Sequence, residues 1–250
     1  MRVAVSRLAQ RVGILGGTFD PVTRGHLAMA RAAERAGKLG RIYFVPAPQP
    51  WHRRGAPVAG YADRFAMLAL ALAGKPRWLP LAVPDVAGRP TYTLDQLRWV
   101  RKRLAPAVGR WPGRNSVQQS SARRKPTPAG AQGVSPLPRV VFILGADAFL
   151  TLPSWHRWRT LLTACDWLVL ARGGHRWEDV RKVLPQSMTA EVSAGGARLR
   201  NATRIQWLAD FVDPSSASRA RRQLARSTAA PVPAAVARYA RRAGLYPSHG

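Results

Sequence analysis

The stretch GILGGTFDPVTRGHLAMA, residues 13–30, holds residue types that could do chemistry on a phosphate. Gly16 and Gly17 end an apolar run and remove side chains where something must approach the backbone closely. Thr23 and His26 stand at the opening of the next helix, where free N–H groups and the helix dipole favour an anion. Together they read as a phosphate cradle between a first strand and a first helix. Asp20, in the same stretch, fits a local turn cap as well as a ligand contact.

Such residues need elements to hold them. Short apolar runs predict strands over 11–15, 41–45, 78–83, 139–144, 167–171 and 204–211. Helical spacing predicts helices over 27–36, 61–73, 93–104, 177–183, 216–224 and 232–242. Strands alternating with helices imply an α/β fold: a Rossmann-like, doubly wound, mostly parallel sheet with helices on both faces and a small C-terminal helical part. Ligands then bind beyond the carboxyl ends of the strands. The chain reads as a single domain over 1–250 with its core at about 11–246. Residues 106–138 break the rhythm, being rich in Pro, Gly, Ser, Gln and Arg with almost no apolar pattern. That composition cannot bury enough surface to offset chain entropy, so it predicts a mobile surface insertion, with a functional basic arm as the sharper alternative.

Composition sets the outer bounds. With 250 residues and 46 % apolar content the chain can bury a proper core. A single cysteine, Cys165, excludes an internal disulfide and any cysteine-based metal cluster, and its apolar surroundings predict a buried thiol. The apolar runs are too short to span a bilayer, and the first residues, MRVAVSRLAQR, lack an apolar signal core. A soluble cytoplasmic protein is expected. The net charge of +28 points either to a polyanionic partner or to a compositional habit, since Arg, Ala, Pro and Gly are abundant throughout. The arginines are spread along the chain without zinc-finger spacing or an RNA-binding aromatic pattern, so nucleic acid is not the expected partner.

The stretch GGTFDPVTRGH resembles the signature of nucleotidyltransferases that carry a His/Thr-x-Gly-His motif. Further stretches are similar to those of the nicotinate-nucleotide adenylyltransferases: FVPAPQPWHRRG after the second strand, RPTYTLDQLR, VFILGADAFLTLPSWHRW, and SSASRAR followed by VPAAVARYARRAGLY. The match covers about residues 11–246, omitting the insertion. Two departures stand out. Thr23 takes the place of the first histidine, so a phosphate contact survives without its charge. In the C-terminal motif Ser215 and Ala220 replace isoleucines and Ser218 replaces threonine; a register shifted by one would use Ser215 and Ser216.

The resemblance implies adenylyl transfer from ATP to nicotinate mononucleotide, giving deamido-NAD and pyrophosphate. It implies His26, Thr23 and Arg221 as catalytic residues. It places ATP on Gly16, Gly17, Thr18, Phe19, His26, Ser216, Ser218 and Arg221. The mononucleotide would meet Arg53, Tyr92, Thr93, Gly145, Asp147 and Trp155, the last stacking on the pyridine ring unless it is simply core. The family's Mg²⁺ would bridge phosphate oxygens, with no dedicated protein cage and no metal-ligating residue assigned. The alternatives are another small-molecule nucleotidyltransferase of the pantetheine-phosphate type and a basic, non-catalytic nucleic-acid-binding protein on the same fold. Acid against amide substrate and oligomeric state stay open.

Overall fold

β-branched and large apolar residues in unbroken runs build the centre of the sheet. In the run Arg139–Gly145 every residue after the first is buried, as a strand covered on both faces requires. The computed structural model describes residues 11–48, 59–84, 91–104, 139–211 and 216–247. Its strands are β1 (Arg11–Gly17), β2 (Arg41–Pro46), β3 (Trp78–Pro80), β4 (Arg139–Gly145), β5 (Asp166–Leu170), β6 (Thr189–Ser193), β7 (Gly196–Leu199) and β8 (Arg204–Leu208). The helices are α1 (Arg24–Ala36), α2 (Tyr61–Leu72), α3 (Thr93–Leu104), α4 (Ala146–Leu150), α5 (Trp158–Ala164), α6 (Trp177–Lys182), α7 (Ala217–Ala225) and α8 (Ala234–Arg242). The segment predicted as an insertion lies outside the described residues.

The eight strands form one sheet in the order β3-β2-β1-β4-β5-β8-β7-β6. From β3 to β8 every pairing is parallel, and β7 and β6 add an antiparallel edge. The chain steps outward one way from β1 through β2 to β3, then returns to place β4 on the other side of β1. That reversal makes a switch point between the carboxyl ends of β1 and β4, where an open α/β sheet accepts a ligand.

Side-chain alternation along the strands divides the core into two layers. Leu15, Phe44, Ile143 and Leu168 pack beneath α1, α2, α7 and α8. Ile14, Val45, Phe142 and Trp167 pack beneath α3, α4, α5 and α6. Gly13 leaves room for the first layer: a Cβ there would lie 2.8 Å from both Ile143 Cδ1 and Leu39 Cδ1, so those buried side chains would have to shift. Cys165 is buried and free, and burial pushes its thiol up, away from reactive thiolate. Among the described residues no helix is long and apolar enough to cross a membrane.

The doubly wound α/β reading holds, with differences in detail. β1 runs on through Gly16 and Gly17, and α1 begins at Arg24, so the expected Thr-Arg-Gly-His turn is the helix cap itself. The third strand stops at Pro80 and the last at Leu208. The β6–β7 hairpin has no counterpart in the predicted strands: β6 alternates over only five residues, with Ala190 and Val192 between polar ones, and both stay exposed on the sheet edge, so no apolar run marks it. Its Gly196, at φ 149°, sits where a Cβ would run into the Ile205 carbonyl. The short helices α4 and α5 fell below the length at which helical spacing shows.

Candidate active site

The end of β1 leads through Thr18, Phe19 and Asp20 into α1. Thr23 caps that helix: its hydroxyl accepts from the His26 N–H, while the Thr23 N–H donates to His26 Nδ1 at 3.0 Å. A ring nitrogen that accepts a backbone N–H has no proton of its own, so the neutral ring carries its proton on Nε2. The Phe19 ring meets His26 edge-on with centroids 5.0 Å apart, and Phe19 reaches this position with a positive φ of 49°. His26 therefore presents a fixed Nε2–H donor on the wall of a cleft at the switch point. Thr23 itself is 1 % exposed and lies beneath His26, off the cleft wall where the sequence reading put a phosphate contact.

A buried polar cluster supports this turn. Asp20 is 3 % exposed, and its Oδ1 accepts from the Tyr246 hydroxyl at 2.7 Å and the Ala59 N–H at 3.2 Å. Arg221, from α7, donates to the Asp20 carbonyl at 2.7 Å and lies 3.6 Å from its Oδ2. Asp20 ties together the turn, the start of α2, α7 and the C-terminal segment, and it also lines the cleft. Burial pushes the Tyr246 hydroxyl far up, and its bond to Asp20 adds to the shift. Beside this cluster stands Arg64 of α2, 1 % exposed, its basicity lowered by burial and partly restored by Asp20.

The opposite wall begins at the end of β4. Gly145, Asp147 and Ala148 line the cleft, with Arg172 from the loop after β5 next to them, its Nε 3.9 Å from Asp147 Oδ2. Trp155 closes the side and donates from Nε1 to Thr151 Oγ1 at 3.0 Å. Thr91, Thr93 and Gln96 complete it. Tyr92 turns its ring onto His156, stacked at 3.9 Å and 18°, so its neighbours rather than its ring face the cleft.

The N-terminus of α7 reaches the same cleft through Ala217. Ser216 caps α7, its Oγ accepting from the Arg219 N–H at 3.2 Å, and Ser218 Oγ accepts from Arg221 at 3.3 Å. The structure thus brings Gly16, Gly17, Thr18, Phe19, His26, Thr93, Gly145, Asp147 and Trp155 to one cleft, with Ser216, Ser218 and Arg221 at its edge. Arg53 and Ser215 lie outside the described residues. Arg172, Gln96 and Met29 line the cleft without having been singled out from sequence. Arg172 could have been found, since it follows the end of a strand near the switch point. Among the described residues no three His, Cys, Asp or Glu side chains stand together as a metal cage.

What this arrangement can do is hold a phosphate chain: glycine-ended strands, a fixed imidazole donor, a helix N-terminus and two arginines converge on it. The chain is similar to known proteins over most of its length. A family described as cytidylyltransferase-like matches residues 14–222. The chain is 32 % identical over 242 residues to a protein named probable nicotinate-nucleotide adenylyltransferase from Gloeobacter violaceus, covering 96 % of this chain and 97 % of that one. It is 33 % identical to a protein of the same name from Bordetella petrii, covering 95 % and 99 %. Its fold is similar to that of the Plasmodium falciparum nicotinic acid mononucleotide adenylyltransferase complexed with NaAD, at TM-score 0.64 and 15 % identity, covering 95 % of this chain and 97 % of that one.

Proposed function

We infer, for a chain that belongs to the nicotinate-nucleotide adenylyltransferases within the cytidylyltransferase-like family, that it carries out the reaction for which its relatives are named. It transfers the adenylyl group of ATP to nicotinate mononucleotide and releases deamido-NAD and pyrophosphate, a step of NAD biosynthesis. We place the reaction in the cytoplasm, with its ATP.

A phosphate oxygen of the mononucleotide attacks the α-phosphorus of ATP. The new O–P bond forms as the bond to the bridging oxygen breaks, and the electron pair leaves with pyrophosphate. The attacking oxygen is already ionised at neutral pH, so no general base is needed. The protein's work is to align the two phosphates and to stabilise the charge that grows on the leaving oxygens. The observation that carries this reading is the Thr23 N–H on His26 Nδ1, which leaves Nε2–H as the donor on the cleft wall. We assign Gly16, Gly17, Thr18 and Phe19 to the ATP phosphates, with Ser216, Ser218 and Arg221 closing from α7. Thr93, Gly145, Asp147 and Trp155 are assigned to the mononucleotide, together with Arg53 and the Tyr92 segment; Thr23 acts through His26.

Mg²⁺ fits this donor set as a partner of ATP. Asp20 Oδ1 accepts from Tyr246 and Ala59, Arg221 lies 3.6 Å from its Oδ2, and Asp147 lies 3.9 Å from Arg172, so these two carboxylates already have partners of their own. When bound, the ion would neutralise phosphate charge; phosphate oxygens and water would hold it. The test is product identification by chromatography after incubation with ATP and nicotinate mononucleotide. Deamido-NAD and pyrophosphate in equal amounts are expected, and their absence would refute the reading.

A further inference from the structure

Arg64 is a cation on an otherwise apolar helix face, and its guanidinium is spent on backbone. It donates to the carbonyls of Thr18 at 2.7 Å, Ala47 at 2.9 Å, Pro48 at 3.0 Å and Ala59 at 3.2 Å. Those carbonyls belong to the turn after β1, the segment after β2 and the start of α2. Only a planar fork with donors on three nitrogens can serve all of these at once; a lysine ammonium is a single point. Among the described residues no side-chain carboxylate bonds it directly, so the charge is not there for an ion pair.

The bond to Thr18 has a consequence on the cleft side. The Thr18–Phe19 peptide is trans, so its N–H points away from its C=O. With the carbonyl drawn toward Arg64, the Phe19 N–H is turned the other way. Among the described residues that N–H has no backbone acceptor, and the neighbouring Thr18 hydroxyl, on a residue 6 % exposed, is buried without a partner. Both residues line the cleft. An unpaired N–H beside an unpaired buried hydroxyl costs free energy unless something completes them. An anionic oxygen accepts from both.

We propose that Arg64 is a positioning residue for adenylyl transfer, holding the Thr18–Phe19 peptide with its N–H toward the nucleotide phosphates. The proposal rests on the adenylyltransferase reading. Two measurements test it. In the first, Arg64→Lys keeps the charge and loses the fork. It is expected to remain folded by circular dichroism and to lose on the order of 10²-fold in kcat, as a misplaced donor does, with KM for the mononucleotide little changed. A merely structural arginine would lower the melting temperature and leave kcat of the folded fraction intact; that result would overturn the proposal. The second measurement needs only the wild-type protein. Addition of α,β-methylene-ATP should shift the Phe19 amide resonance downfield, and an unmoved Phe19 amide at saturation would overturn the proposal. Because this second probe reads nucleotide binding and not turnover, it tests the Phe19 amide even if nicotinate mononucleotide proved not to be the acceptor; repeated on Arg64→Lys, the shift is expected to shrink, and an undiminished shift would overturn the proposal.

Discussion

His26 shows how one backbone contact can set the chemistry of a side chain. The Thr23 N–H donates to Nδ1, which puts the donor of the neutral ring on Nε2. A donor aimed at oxygens that gain charge as the bond breaks acts mainly in the transition state. His26→Ala is therefore expected to lower kcat by on the order of 10²–10³, or roughly 3–4 kcal/mol, with a much smaller change in ATP affinity. Steady-state kinetics with melting curves would check this; a near-normal kcat would remove His26 from the reaction. At this scale the sequence was informative where a motif spoke for itself, as it did for Gly16, Gly17 and His26. It was silent about Arg64, which sits in a helical run like any solvated arginine, since four carbonyls from separate segments leave no mark on local spacing. The resemblance placed Tyr92 at the pocket, but no local pattern could show that its ring stacks on His156, a residue far along the sequence.

Elements bring these side chains together through close packing at the switch point. β1 carries its glycines for two reasons. At Gly13 the first core layer leaves no room for a methyl group. At Gly16 a Cβ would lie 3.1 Å from the Phe142 ring, so that ring also limits the cleft floor. Gly13→Ala is expected to destabilise the fold by about 1–3 kcal/mol, as overpacking does, and denaturant unfolding would measure it. The catalytic constants of the folded variant should change little, because Gly13 lies away from the cleft wall. The central strands were readable because burial on both faces needs continuous apolar runs, and α3 was read with its bounds intact. The β6–β7 hairpin was not, because backbone pairing of β6 to β7 and of β7 to β8 holds this edge without a buried apolar run in β6.

At the scale of the molecule, the C-terminal segment is fastened to the first turn of the fold. Tyr246, 226 positions from Asp20 in sequence, donates its hydroxyl to that carboxylate within the buried cluster. Tyr246→Phe should cost about 1.5–3 kcal/mol at neutral pH, the range for a hydrogen bond to a charged group. The pH dependence follows from the raised Tyr246 hydroxyl. Below about pH 10, the ordinary tyrosine value, folded and unfolded chains both keep that proton and the bond contributes fully. Above it the unfolded chain loses the proton first, so this stabilisation declines by up to about 1.4 kcal/mol per pH unit. Urea unfolding between pH 8 and 11 should show a shallower decline for the phenylalanine variant; equal slopes would deny Tyr246 this part. The alternation of strands and helices made the doubly wound plan legible across the described residues, whereas a clasp between Asp20 and Tyr246 has no local pattern to announce it. The central claim is that this cleft joins ATP to the acid mononucleotide. In a site that donates hydrogen bonds to a carboxylate, an amide would leave donors facing donors, and sites of that kind discriminate by as much as about 10⁴–10⁵. The direct measurement is pyrophosphate release with ATP and each mononucleotide in parallel. A much higher kcat/KM for nicotinate mononucleotide than for nicotinamide mononucleotide is predicted, and equal values, or no release with either, would contradict it.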